Sequence, residues 1–221
     1  MPNLAVRGLK AALRPARRRL WGPATRAEKD YATHIPILLA LARAVKVENV
    51  LELGCGDYST LTFLDSSAFP SLVSLESLET DKAWLEKVAL TVGDDSRFSA
   101  RLVNSVMRSG IKQVDIDSYE LVLVDDSSTS DERAGTIRAI ADYHPKRAIV
   151  VIHDFEIQAY REAASGFLHQ FIFKAFTPQT GVVWNGNKDL MKTLRQASSA
   201  IKRNAKKVAP DDVGEWKKVL S

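Results

Sequence analysis

The chain has 221 residues, 45% of them hydrophobic and 26% charged, enough for one α/β core with extensions and too few for two independent cores of ordinary size. That composition excludes a disordered, collagen-like or low-complexity chain, and the longest apolar run, Ile35 to Ala42, is far shorter than the roughly 18 to 20 residues a membrane span requires. The formal charge of +4 is unevenly spread: residues 1–27 carry +7, residues 188–221 carry +5 and the stretch between carries −8, so basic ends flank an acidic body.

At the start, Val6, Leu9, Leu13, Ala16 and Leu20 recur at steps of three and four among Arg7, Lys10, Arg14 and Arg17 to Arg19, which predicts a basic amphipathic helix interrupted at Pro15. Three uses stay open: a solvated arm, docking to an anionic membrane or a partner, and an organellar transit peptide, the last disfavoured because the segment lacks serine. From His34 the chain alternates helical and strand-like patterns. Helix His34 to Val45 is followed by strand Val50 to Leu53, helix Ser59 to Leu64 and a strand from Leu72 onward. Helix Asp81 to Val92, strands Phe98 to Val103 and Tyr119 to Val124, and a helix opened by Thr129 and Glu132 as a capping box come next. Strand Ala148 to Ile152, a helix around Gln158 to Leu168 and a closing hairpin, Gln170 to Phe176 with Gly181 to Trp184, complete the body. This alternation predicts a doubly wound, mostly parallel seven-stranded sheet, Rossmann-like, with an antiparallel last hairpin. Beyond it Leu190, Leu194, Ala197 and Ile201 share a stripe ringed by lysines and arginines, which reads as a surface helix. The organisation is an extension over 1–29, a body over 30–187 and a basic tail over 188–221.

A single cysteine, Cys55, allows neither an internal disulfide nor a cysteine-based metal or redox motif; the expectation is a cytoplasmic protein, with peripheral membrane contact through its basic ends. Nucleic acid is disfavoured as a partner because no aromatic residues are interleaved with the tail charges.

In a doubly wound sheet, ligands bind beyond the carboxyl ends of the strands, so residues just after each strand carry the information. After the first strand comes Glu52-Leu53-Gly54-Cys55-Gly56-Asp57-Tyr58-Ser59. Two glycines permit a tight turn and close backbone approach, and the helix that follows offers free N–H groups to an anion. A dinucleotide fingerprint needs a third glycine where Ser59 stands. The turn instead resembles the first motif, E/D-x-G-x-G, of the class I S-adenosylmethionine-dependent methyltransferases, and the likeness spans residues 35 to 185. It implies that Glu52, Gly54, Cys55 and Gly56 hold the cofactor. At the second strand, Glu79 opens E-T-D-K-A-W, similar to the family stretch whose glutamate binds the ribose hydroxyls. Glu76 is the alternative on strand periodicity, because it ends the apolar run. Beyond the third strand, Asn104 and Ser105 stand where the family places an adenine contact, and the loop after the fourth strand, with Asp125, should meet the adenine's other face.

Asp125 and Asp126 follow the fourth strand and His153 and Asp154 the fifth, and all should converge on one rim. His153, with a reference pKa near 6.5, suits a general base, with Asp125 and Asp154 as its partners in catalysis. The likeness to catechol-type O-methyltransferases also raises Mg²⁺ held by Asp125 and Asp154 through hard oxygen ligands. The acceptor should lie near Phe155, Glu156 and Tyr160, with Trp184 as a wall or as plain core. The expected activity is methyl transfer to a hydroxyl of a small molecule or of a glycan or lipid intermediate. An inactive binding or scaffold protein of the same fold, and a nucleotide-binding Rossmann enzyme, are the other readings.

Overall fold

The computed structural model describes residues 31–126, 129–186 and 188–221; the expected N-terminal basic helix lies outside them. The elements, in chain order, are α1 (Ile35–Ala44), β1 (Asn49–Leu53), α2 (Ser59–Leu64), β2 (Ser74–Glu79), α3 (Lys82–Val92), β3 (Phe98–Leu102), β4 (Leu121–Val124), α4 (Ser130–Tyr143), β5 (Ile149–Ile152), α5 (Gln158–Ala163), β6 (His169–Phe173), β7 (Thr180–Trp184), α6 (Leu190–Asn204) and α7 (Val213–Val219). The seven strands form one sheet in the order β3-β2-β1-β4-β5-β7-β6. The pairings from β3 to β5 are parallel, and β7 runs antiparallel to both β5 and β6. The predicted architecture is therefore the one formed.

β4 and β5 are apolar throughout because helices cover both of their faces. Alternate residues point opposite ways: Leu121, Leu123 and Val151 join α1 and α2 in one core, and Val122, Val124, Val150 and Ile152 join α4 and α5 in the other. Parallel strands laid out in both directions from β1 and β4 leave a crevice where their crossovers diverge, between the carboxyl ends of those two strands. Gly54, Asp125 and His153 all fall at that end.

The segment expected to be a surface helix is half buried. Leu190, Leu194 and Ile201 of α6, with Val213 and Trp216 of α7, belong to the same core as α1. α7 escapes the sequence reading because it is only seven residues long; Asp212 caps it by accepting from Glu215 N–H at 3.0 Å, and Trp216 donates its indole N–H to Ala209 O at 2.8 Å. The helix expected to reach Leu168 ends at Ala163 and tightens into a 3₁₀ turn over Ala164–Gly166. Thr129 stands at the N-cap position of α4, and its hydroxyl meets Glu132 Oε2 at 3.4 Å, a side-chain version of the expected box.

Candidate active site

Gly54 turns the chain out of β1 with φ +85°, and a Cβ there would stand 2.5 Å from Asp125 O. Only glycine fits so close to the fourth strand in that conformation. Gly56 has ordinary room, since a Cβ would meet nothing nearer than Ser59 Oγ at 3.4 Å. The loop is fastened from two sides. Thr60 Oγ1 accepts from Gly56 N–H at 3.0 Å and donates to Glu52 Oε2 at 2.8 Å. From β2, the Glu79 carboxylate accepts the backbone N–H groups of Cys55 (3.2 Å), Thr80 (2.6 Å) and Asp81 (2.9 Å). Asp81 caps α3 by accepting from Trp84 N–H at 3.0 Å, which places the Trp84 indole to donate to Cys55 O at 2.6 Å. Lys87, one turn on, lies 4.0 Å over that indole and pairs with Asp57 at 2.7 Å. The E-T-D-x-x-W stretch is thus a brace that fixes the glycine turn to the first turn of α3.

Glu52 is fully buried on the face shared with Ser77, whose hydroxyl donates to Oε2 at 2.5 Å. Burial pushes its pKa up to about 7, against the opposing hydroxyls of Ser59, Ser77 and Thr60. Oε1 has no hydrogen bond of ordinary geometry among the described residues. Beside the loop, Thr80, Asn104, Ser105, Val106, Met107, Asp126 and Glu132 line a cavity of about 220 Å³. Ser105 shapes its floor by capping the π-helical turn Val106–Gly110, accepting from Arg108 N–H at 3.1 Å. Asp126, 2% exposed, accepts from Thr136 at 2.8 Å on Oδ2, while Oδ1 has no partner among the described residues; burial pushes its pKa up to about 6.

The other half of the rim is a charge cluster built around Arg133 of α4. Its guanidinium reaches Asp125 Oδ1 at 3.0 Å and Asp154 Oδ2 at 2.7 Å, donates to Asp126 O at 2.6 Å, and stands 5.6 Å over the Tyr160 ring. Asp154 takes a left-handed conformation, φ +56°, to reach it. His153 Nδ1 lies 3.3 Å from Asp125 Oδ1, and Nε2 lies 3.0 Å from the Thr33 hydroxyl. Behind it stands His34, its ring edge-on at 5.0 Å. Burial alone would raise Asp125 and lower His153. Their mutual attraction, with Arg133 beside Asp125 and Asp154 beside His153, outweighs it, so Asp125 lies below and His153 above the ordinary value.

No protein-family model matches the sequence, and no curated protein matches it. Solved structures do match. The spermidine synthase of Thermotoga maritima superposes with a TM-score of 0.53 at 14% identity over 75% of this chain, which spans 61% of that protein's length. Human methyltransferase-like protein 13, solved with S-adenosylhomocysteine, gives 0.52 at 13% identity over 81% of this chain and 92% of the other. The N-methyltransferase NodS of Bradyrhizobium japonicum, solved with the same compound, gives 0.50 at 10% identity over 72% and 86%. The fold is that of the class I methyltransferases.

On this methyltransferase fold the structure brings Glu52, Gly54, Cys55, Gly56 and Glu79 to one turn, and Asn104 and Ser105 to the cavity beside it. Glu76 is not with them. It lies on the opposite face of β2, where Arg101 Nε donates to it at 2.9 Å and Tyr119 at 2.6 Å, so it serves the sheet, and Glu79 alone stands at the turn. His153, Asp125 and Asp154 do converge, but two expectations about them change. The space between the two aspartates, assigned to Mg²⁺, is occupied by Arg133. His153, expected to stand open at the rim as a base, is 2% exposed with both ring nitrogens engaged. Phe155 is buried against Gly181, and Tyr160 and Trp184 are core residues as well; Glu156 accepts from Gln179 N–H at 2.7 Å. Of the residues after β4 and β5, Asp125 and Asp154 keep part of their side chains exposed at the rim, whereas Phe155 and Tyr160 are closed into the core. Sequence reading missed Thr33, His34, Trp84 and Arg133. Trp84 was legible as part of the brace motif, whereas the other three are separated from the rim motifs along the chain.

Proposed function

We propose that this protein is an S-adenosylmethionine-dependent methyltransferase acting on a hydroxyl of a small molecule or of a glycan or lipid intermediate. The observation that carries the reading is the braced left-handed turn at Gly54, whose fastening residue Glu79 also holds Thr80 on the wall of the cavity shared with Asn104, Ser105 and Asp126. Two buried carboxylate oxygens, Glu52 Oε1 and Asp126 Oδ1, have no hydrogen bond of ordinary geometry among the described residues, which suits a ligand that brings its own donors, as an amino group and an exocyclic amine would.

Bound S-adenosylmethionine supplies an electrophilic methyl group on a sulfonium. The Gly54 to Gly56 backbone and Glu52 would hold its amino-acid end, Glu79 the ribose hydroxyls, and Asn104, Ser105 and Asp126 the adenine edge. Held by three backbone N–H groups, Glu79 is fixed in orientation before any ligand arrives, so little ordering remains to be done on binding. Asp125 and Asp154, pinned by Arg133, present carboxylate oxygens that hold an acceptor hydroxyl by its proton and aim its oxygen. His153 is a positioning residue for Asp125.

Isothermal titration with S-adenosylmethionine, S-adenosylhomocysteine and NAD⁺ tests the reading: the first two should bind and the third should not. Comparative mass spectrometry of small molecules and glycolipids, from cells with and without the protein, should show a species differing by one methylene. Binding without consumption of the methyl donor would support the scaffold reading, and preference for NAD⁺ would remove the assignment of the turn.

A further inference from the structure

His34 is a histidine in the wrong surroundings for a structural residue. It is 1% exposed, and neither ring nitrogen has a hydrogen-bond partner among the described residues. A neutral imidazole carries one N–H donor and one lone pair, and leaving them unmade in the interior is costly. Each such group in a native protein calls for a partner. Facing it are His153 and Asp125: one donor atom from each of the three residues lies within 4.8 Å of the others. Two imidazoles and one carboxylate, drawn from the start of α1 and the ends of β4 and β5, form the nitrogen and oxygen donor set that binds zinc-like divalent ions and leaves coordination positions open.

We infer that His34, His153 and Asp125 form a binding site for a divalent transition-metal ion of the zinc type, with Arg133 and Thr33 as its outer shell. Donors around a tetrahedral ion at ~2.0–2.1 Å stand roughly 3.3 Å apart, and His153 Nδ1 and Asp125 Oδ1 are already separated by 3.3 Å. Thr33 Oγ1, 3.0 Å from His153 Nε2, can accept an N–H there and leave Nδ1 as the lone pair, the outer-shell role that fixes a ligating histidine's tautomer. Arg133, 3.0 Å from Asp125 Oδ1, holds the carboxylate in place. Access comes from the Asp125 side, whose side chain is 21% exposed while the two histidines are closed in. This donor set differs from the all-oxygen pair of Asp125 and Asp154, which Arg133 already joins. Metal binding stands on its own. Its consequence for catalysis, an acceptor hydroxyl acidified beside the cofactor cavity, rests on the methyltransferase reading.

Chelator-stripped full-length protein should be titrated with Zn²⁺, Co²⁺ and Mg²⁺ by calorimetry, and with Co²⁺ by visible absorption. The expected result is one Zn²⁺ or Co²⁺ per chain, no Mg²⁺ uptake, and Co²⁺ d–d bands. His34→Gln should weaken binding about 100-fold and Thr33→Val about 10-fold, the latter being the usual scale of an outer-shell loss. X-ray absorption of the Zn²⁺-loaded unmutated protein keeps the test independent of variant folding and should show two imidazoles in the first coordination sphere. Absence of a 1:1 site, binding that His34→Gln leaves unchanged, or a first sphere without imidazole would each overturn the inference. S-Adenosylmethionine titration on the stripped protein separates these failures from failure of the proposed function.

Discussion

The two halves of the rim are built in opposite ways. The glycine turn after β1 is held by bonds between near neighbours in sequence or on adjacent strands, and its fastening carboxylate, Glu79, has three backbone donors. The cluster at the ends of β4 and β5 draws on Thr33, Asp125, Arg133 and His153, with the Thr33 to His153 contact spanning 120 residues. It stores charge in the interior and leaves His34 without hydrogen bonds among the described residues. The turn's backbone is fixed by these bonds before any ligand arrives, and of the Glu52 and Glu79 carboxylate oxygens only Glu52 Oε1 lacks a hydrogen bond of ordinary geometry among the described residues. A strained polar cluster is more typical of a place where protons or ions are handled, because perturbed groups gather there.

The sharpest way to break the contrast is at the turn. Gly54→Val forces a side chain to within 2.5 Å of Asp125 O at φ +85°, and should cost more than about 100-fold in S-adenosylmethionine affinity, with about 2–4 kcal/mol of stability; titration and urea unfolding check both. Next is Arg133→Met, which leaves Asp125 and Asp154 without the guanidinium between them. The expected loss is about 3 kcal/mol at pH 7. Asp125 lies below its ordinary value in the folded protein, so its contribution is present at neutral pH and lost as pH falls through that depressed value. Variant and parent unfolding curves should therefore converge in acid.

The third effect belongs to His34, whose pKa burial lowers to about 3, with the His153 charge adding to the shift. The unfolded chain takes up a proton near pH 6.5 and the folded chain does not, so stability of the metal-free protein should fall as pH drops from about 6.5 toward 3. His34→Gln should flatten that slope in a pH series of urea midpoints. The smallest effect is at the brace. Trp84→Phe keeps the ring but loses the indole donor to Cys55 O, and should weaken S-adenosylmethionine binding several-fold, on the order of 1 kcal/mol, while His34-dependent pH behaviour stays unchanged. If Trp84→Phe moved that pH behaviour, the two halves would not be separable.

The same division explains what was legible in the sequence. Strand order and the turn could be read because periodicity and glycine spacing are local signals: β1, α2 and α3 fall within a residue or two of their expected limits. Glu79 was separable from Glu76 only by motif, since both lie on one strand; the sheet decides because side chains one and three positions apart on β2 face opposite ways. Arg133 looked like any charged residue on an amphipathic helix, and its partners come from strand ends that only the tertiary fold brings near it. Thr33 and His34 gave no signal, because an isolated histidine before an apolar helix has no pattern to belong to.

α6 and α7 close over α1, and Arg43 of α1 donates to Lys217 O at 2.5 Å. The last two helices therefore back the helix that His34 precedes at the N-cap position. The basic tail is thus fastened to the same core as the helix that follows His34, and among the described residues the end of the chain is tied to the strand-end cluster, far behind it in sequence, only through that shared packing.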